Sequence, residues 1–336
     1  MPVVVEMSAV GRRVVIRFRR SPAAVDRPFS DVVGELVALD DDWATVRSSS
    51  GTVRVARADI VVARTVAPGR RRILDLERIA ARGWRAAEVL ELDGWLLRAN
   101  AGWTRRANSV LPLGTPARPL PELLDEVERF YADRGTGMLI QLPLPARGVL
   151  DAELARRCWV IEAPVVLLTR SLLDPSLLDR SLLDPSLLDR PAPGIDDGSR
   201  VLLEDEPSAR WQAGYRARDG RLPSAALDLL RRHENAVFAS VASAGSTVGI
   251  ARGTVDDGWL GVTALEVDPA ARRRGVARGL MAALQDWGKQ RGATHAYLQV
   301  EADNADALAL YRDLGYVEHH RYHYRRPPAQ APGSAP

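Results

Sequence analysis

Between residues 263 and 284 the chain reads TALEVDPAARRRGVARGLMAAL, and the chemistry this stretch offers is anion binding. An extended segment ends at Pro269, a basic loop follows, and a helix starting near Gly275 carries Val276, Leu280, Leu284 and Trp287 on one buried face. A glycine where strand turns into helix lets the first helical amides point outward with no side chain in the way. Those amides and the helix dipole attract negative charge, and Arg272, Arg273, Arg274 and Arg278 surround them. A phosphorylated ligand is the expectation. The stretch lacks Gly-Lys-Ser/Thr and is not Gly-x-Gly-x-x-Gly, so it is neither a nucleoside-triphosphate loop nor a dinucleotide turn.

A second informative stretch is LQVEADNADALALYRDLGYVE, residues 298 to 318. Asn304 opens a helix and Tyr311 follows seven residues later, which projects both from one helix face. Glu266 and Glu301 stand near the ends of the two strands that precede these helices. His319, His320 and His323 invite a metal reading. Adjacent strand residues face opposite ways, so 319 and 320 share no site, and 319 with 323 reads as an exposed strand face. No metal is expected.

Arg272-x-x-Gly275-x-Ala277, followed some 30 residues later by Asn304, Tyr311 and Leu314-Gly315-Tyr316, resembles the paired signatures of the GNAT acyltransferases. Their first motif is Gln/Arg-x-x-Gly-x-Gly/Ala. The resemblance implies acetyl-CoA as co-substrate and direct transfer of its acetyl group to an amine. Residues 272 to 278, Val276 and Ala277 included, would hold the pyrophosphate, and Asn304 and Tyr311 would line the pantetheine tunnel. Strand 263 to 268 would bulge away from strand 295 to 300 and open a gap. There the amides from Leu265 to Val267 would bond the pantetheine and polarise the thioester. Tyr311 would give a proton to the departing thiolate. Either Glu266 or Glu301 would serve as general base.

The second signature closely resembles bacterial enzymes that acetylate the N-terminal alanine of a ribosomal protein. Gln299 stands where that group carries a glutamate as base, and glutamine cannot accept the proton. Over nearly its whole length the chain resembles actinobacterial proteins that join an SH3-like barrel to a GNAT domain, some described as N-acetylglutamate synthases. Three readings follow. The acceptor is L-glutamate, its carboxylates met by Arg98, Arg105, Arg106, Asn108 and Ser109, which are expected on two strands. Alternatively it is a peptide N-terminus. As a third reading, the protein is an acetyl-CoA-sensing module whose SH3-like barrel docks a protein partner.

The elements that must position these groups fall into units. Residues 1–67 alternate apolar and polar in short runs, the pattern of a small all-β, SH3-like barrel of about five strands, with PGRRR at 68–72 as a linker. Residues 73–170 read helix, strands, helix, strand, helix, strand, a degenerate GNAT-like half without the Arg-x-x-Gly-x-Ala motif. Residues 199–326 form the second, catalytic α/β half. The expected fold class is thus an α/β (α+β) GNAT fold in tandem behind a β-barrel. Between the halves, residues 171–198 contain a ten-residue unit written twice, SLLDPSLLDRSLLDPSLLDR. Its period of five fits no heptad, Pro175 and Pro185 interrupt any helix, and the segment reads as a Leu-rich linker. Residues 327–336 read as a disordered tail.

The remaining classes are narrowed by composition. The 336 residues carry a net charge of only +3, with basic residues scattered among acids, which argues against a nucleic-acid stripe. Lys289 is the single lysine, so arginine here reflects composition as much as function. The single cysteine, Cys158, excludes an internal disulfide and a Cys-based metal cluster; it reads as a small buried apolar residue. No apolar run approaches the ~18 residues that span a bilayer, and the first residues lack a secretory signal, so a cytoplasmic location is expected.

Overall fold

A computed structural model describes residues 9–20, 28–173, 200–215, 222–243 and 245–328. Nearly all of the repeat, and residues 329–336 of the C-terminal tail, lie outside the described residues. At the N-terminus, β1 (Arg13–Arg19), β2 (Phe29–Leu39), β3 (Trp43–Ser48), β4 (Gly51–Ala56) and β5 (Ile60–Thr65) form one antiparallel sheet in the order β4-β3-β2-β1-β5. Alternation along each strand turns Val14, Ile16, Leu36, Val46 and Val55 into a closed core. The next element, α1 (Arg70–Gly83), starts earlier than expected. Gly69 is an extended N-cap, and Arg70 to Arg72 form the first helical turn rather than a linker; arginine is a good helix former and its long side chain stays in solvent there.

The first α/β half contains β6 (Glu88–Leu92), β7 (Trp95–Ala99), β8 (Val110–Pro112), α2 (Leu120–Ala132), β9 (Ile140–Leu144), α3 (Gly148–Arg156) and β10 (Val160–Ser171). The second contains β11 (Val201–Glu204), α4 (Ala209–Gly214), α5 (Ser224–Arg231), β12 (Ala236–Ser243), β13 (Ser246–Asp256), β14 (Trp259–Val267), α6 (Val276–Gln290), β15 (His295–Glu301), α7 (Ala305–Asp313) and β16 (Val317–Arg326). The two share a single sheet of 11 strands, ordered β11-β12-β13-β14-β15-β10-β16-β9-β8-β7-β6. The last strand of each half has crossed to the other. Strand β10 pairs with β15 through Leu167↔Gln299, and β16 pairs with β9 through His323↔Leu142.

Three expectations change on contact with this sheet. The strand expected over residues 105 to 113 shrinks to Val110–Pro112, because Asn108 organises the preceding turn. Its Oδ1 accepts from the amides of Asn100 and Gly102, and its Nδ2 donates to the carbonyls of Trp103 and Thr104. Cys158 is exposed rather than buried, since it sits at φ 61° just past the end of α3. His319 does not alternate with His320. The β10–β16 register jumps from Leu167↔His320 to Leu168↔Glu318, which leaves His319 in a bulge with its Nδ1 2.8 Å from that of His320. His320 and His323 are buried, so the expected exposed face is an interior one.

The helices cover both faces of the second half. The apolar face of α6 packs under β12, β13 and β14 through Val276, Leu280, Leu284 and Trp287. On the other face, α1 lays Leu76, Ile79 and Ala80 against Leu167 and Tyr297. Of the Leu-rich repeat only Ser171 to Leu173 is described; Leu172 is buried in the hydrophobic core of the second half and its amide donates to the Thr294 carbonyl. The chain then needs to travel from the end of β10 to the start of β11, five strand positions away, or about 24 Å across the sheet and roughly 35 Å with the strand length added. Deleting residues 181–190 leaves 17 residues between 172 and 200, with a reach of about 60 Å. The deletion is therefore expected to leave the melting temperature within about 2 °C and acetyl-CoA affinity within about twofold; a tenfold loss of affinity would tie the second copy to the site.

Candidate active site

The site starts where two parallel strands part. Strands β14 and β15 are in register from Trp259↔His295 to Val262↔Leu298 and no farther. Beyond that point β14 carries a bulge, with Ala264 at φ 53° and the β13 register shifting from Arg252↔Thr263 to Ile250↔Glu266. The bulge bends β14 away and leaves the backbone edge from Leu265 to Val267 unpaired with β15. It also sorts side chains. Leu265 and Val267 pack on the α6 side, whereas Ala264 turns to a cluster that contains Trp84 and Trp211. The result is a V-shaped gap with backbone donors on one wall.

At the end of β14 the chain enters the basic loop. Asp268 Oδ1 accepts from the Ala270 amide at 2.8 Å, closing a single 3-10 turn. Arg273 then takes φ 63° and Gly275 φ 78°, both left-handed. Only glycine adopts this conformation without steric cost, and at the helix N-cap it also removes a side chain from the amides. The first helical bond of α6 runs from the Gly279 amide to the Gly275 carbonyl, so the amides of Val276, Ala277 and Arg278 have no partner within the helix. Arg272, Arg273 and Arg274 are exposed around this point, while Arg278 pairs with Asp313 at 3.2 Å. Amides, dipole and guanidinium groups converge as a pyrophosphate requires.

Across the gap, Asn304 is the N-cap of α7. Its Oδ1 accepts from the Ala307 amide at 3.1 Å, which leaves Nδ2 to donate elsewhere. Two turns on, Tyr311 is buried, with its ring edge-on to Tyr316 at 6.0 Å. Its hydroxyl donates to no described residue. Burial pushes this phenol well above its ordinary range, so it is protonated at any physiological pH.

The opposite face of the gap is aromatic and cationic. Trp84 stacks on Trp103 at 5.5 Å, Trp103 meets Tyr215 at 6.4 Å, and Tyr215 meets Trp211 at 5.5 Å. Burial first, and then the nearby Glu266 carboxylate, push the Tyr215 phenol up to about 12. Arg106 lies with its guanidinium carbon 4.9 Å over the Trp84 ring, and its charge acts on Tyr215, Tyr297, Tyr322 and Tyr324. Among the described residues it has no carboxylate partner. At the mouth of the gap, Thr263 Oγ1 and both amide atoms of Gln299 are hidden from solvent without a hydrogen bond. Thr263, Tyr215 and Trp103 carry no sequence signal and emerge only from the fold.

Not every residue expected at the acceptor site reaches it. Arg98 is fully buried and bonds the Ser109 carbonyl, Ser109 Oγ and Gln141 Oε1 at 2.8 to 3.0 Å. It belongs to a chain that continues from Gln141 Nε2 to Glu77 Oε2 at 2.7 Å and from Glu77 Oε1 to His320 Nε2 at 2.8 Å. Arg98 and Ser109 thus hold the first half together, and Asn108 shapes the turn that carries Arg106. Glu301 is exposed and lies 3.9 Å from Arg105, which also approaches Glu162. Glu266 is half-buried on the gap face. Among the described residues no group of three His, Cys, Asp or Glu side chains is placed to hold a metal. No helix among them is long and apolar enough to cross a membrane.

Comparison with known proteins adds the following. Residues 71–325 match the family described as "Probable histone acetyltransferase Rv0428c C-terminal", and residues 8–64 match the family described as "Rv0428c N-terminal Sm-like domain". The five-stranded unit, expected as SH3-like, is accordingly an Sm-like β domain. The "Probable histone acetyltransferase Rv0428c" of Mycobacterium tuberculosis is 33% identical over 98% of both chains. The "Uncharacterized N-acetyltransferase YobR" of Bacillus subtilis is 27% identical over 75% of this chain and 98% of its own. Among solved structures, a "GCN5-related N-acetyltransferase from Kribbella flavida" superposes with a TM-score of 0.56 at 20% identity, over 76% of this chain and 96% of that one.

Proposed function

Because the chain belongs to the Rv0428c C-terminal family, and is a GNAT-type N-acetyltransferase by its relatives and fold, we propose that it acetylates the primary amine of a small acceptor that bears a carboxylate, with L-glutamate as the reference compound. The observation that carries this reading is Arg106, a half-buried cation without a described acid partner on the acceptor face of the gap. A guanidinium in that position favours a carboxylate.

The roles then follow from placement. The loop from Arg272 to Arg278 holds the pyrophosphate of acetyl-CoA, and Asn304 Nδ2 donates to the pantetheine arm. The thioester enters the gap, where the amides from Leu265 to Val267 stabilise the developing oxyanion. The acceptor nitrogen attacks the carbonyl carbon and loses its proton to Glu266, directly or through one water. The C–S bond breaks, and Tyr311 supplies the proton that the thiolate takes. Glu266 is preferred over Glu301 as base because it faces the gap, whereas Glu301 stands in solvent beside Arg105.

The name of the M. tuberculosis relative favours a second reading, a lysine side chain of a protein. Against it stands the charge of the acceptor face, where Arg106 and the fully buried Arg252, 4.9 and 5.7 Å from the Trp84 ring, would repel a basic tail. An α-amine at a peptide N-terminus also fits the chemistry, and acetyl-CoA sensing without transfer is the outcome in which no amine turns over. Release of CoA from the purified protein, measured across L-glutamate, other amino acids, an alanine-ended peptide and a histone-tail peptide, separates these readings. If glutamate is acetylated, Arg106→Ala is expected to raise its KM by about 10- to 100-fold, the worth of one charged hydrogen-bonded contact, while kcat changes little. An unchanged KM would remove Arg106 from acceptor binding.

A further inference from the structure

A cavity of about 510 Å³ lies well away from the gap, where the Sm-like domain meets α1 and the start of β15. Its size is that of a small-molecule site, within the usual range of about 300–1,000 Å³. The floor is apolar, made by Leu76, Ile79, Trp259 and Val66. Trp259 is fixed by stacking on His295 at 4.7 Å, and His295 in turn lies 3.0 Å from Glu35 of β2, so the two domains meet across the cavity wall.

The rim is charged, and its charges do not balance. Each lining acid is already matched. Glu35 lies beside His295 and 3.9 Å from Arg47, Glu318 is bidentate to Arg321 at 2.8 and 2.9 Å, and Asp75 lies 3.7 Å from Arg71. Arg12, Arg13 and Arg72 also line the cavity; their side chains make neither a hydrogen bond nor an ion pair among the described residues, and Arg12 acts on Glu318 only through its charge. Arg13 and Arg72 come from different domains and repel one another; burial and then Arg72 lower the Arg13 pKa. His319, at the inner end, adds no charge, since burial, His320 and Arg72 push it down to about 3. Three guanidinium groups thus line one apolar-floored cavity, Arg12 and Arg72 on its solvent side, and a negative charge among them would relieve the repulsion between Arg13 and Arg72.

We propose that this cavity binds a small polyanion of phosphoryl or carboxylate chemistry, clamped between the Sm-like domain and the tandem body by Arg12, Arg13 and Arg72. The ligand lies apart from acetyl-CoA, whose pyrophosphate loop is on the other face of the sheet, so both bind at once.

The test uses the full chain saturated with CoA, which fills the pyrophosphate loop in advance. Pyrophosphate and citrate at millimolar concentration, each against sodium chloride of equal ionic strength, distinguish phosphoryl from carboxylate ligands. A probe present at about 100 times its Kd is expected to raise the melting temperature by about 5 °C. Isothermal titration gives one site per chain. Both signals are expected to vanish in the Arg13→Gln/Arg72→Gln double variant and to persist in Arg54→Gln, a control on the same domain. A native near-UV circular dichroism spectrum shows that the double variant is folded. Absence of a shift with either probe, or a shift that survives the double substitution, overturns the proposal.

Discussion

Tyr311→Phe lowers turnover by about 10²- to 10⁴-fold and leaves acetyl-CoA affinity within about twofold, if the hydroxyl is the acid that completes the reaction. The substitution removes one oxygen that donates to no described residue, and the ring keeps its edge-on contact with Tyr316. Stability should therefore change little, which separates a chemical loss from a structural one. Burial that raises the phenol above its usual range keeps the proton in place until a thiolate appears beside it. Steady-state kinetics with an amine acceptor that the native protein turns over, together with direct CoA binding, checks the result. Unchanged turnover would exclude Tyr311 from the proton transfer and leave water as the donor.

The largest expected effect on stability belongs to a residue far from the thioester. Glu77 is 1% exposed, and its two oxygens serve His320 on β16 and Gln141 on β9, with Arg98 on β7 one bond further. A single carboxyl group thus ties α1 to three strands from both halves. Glu77→Ala leaves a buried imidazole and a buried amide without their partner, a change of about 3–5 kcal/mol. In melting temperature that is roughly 6–12 °C. Glu77→Gln, which keeps the shape and an acceptor, should lose less than half as much. Thermal unfolding followed by circular dichroism decides the matter, and an alanine variant within 2 °C of the native protein would show that the network contributes little.

The parts of this protein legible in the sequence are those that chemistry writes locally. Gly275 followed by a periodic apolar face, with arginines around it, is a short-range pattern, and so is Asn304 seven residues before Tyr311. Pairing across distance leaves no such trace. Nothing in the apolar run of β10 distinguishes a strand that stays in its own half from one that crosses. The bulge that turns His319 toward His320 arises from the register with β10, not from β16 itself. Arg98 and Arg106 are the same residue type eight positions apart, yet one is enclosed by Ser109 and Gln141 and the other faces the gap. Only the fold separates a guanidinium that holds the scaffold from one free to hold a ligand. Likewise Gln299 reads in the sequence as a missing base, whereas the structure presents it as a buried amide with both atoms unbonded at the mouth of the gap.

Strand exchange also sets an order of events during synthesis. The first half is complete in sequence once residue 171 is made, but β16, the strand seated between its β9 and β10, comes from residues 317–326. Until those residues leave the ribosome, β9 and β10 each present an open edge, the kind of surface that templates association with another chain. The usual course of multidomain synthesis, in which the N-terminal unit folds first and waits, therefore stops one strand short. The nascent chain has to carry an unfinished sheet through the second half of its translation, until β16 joins both halves.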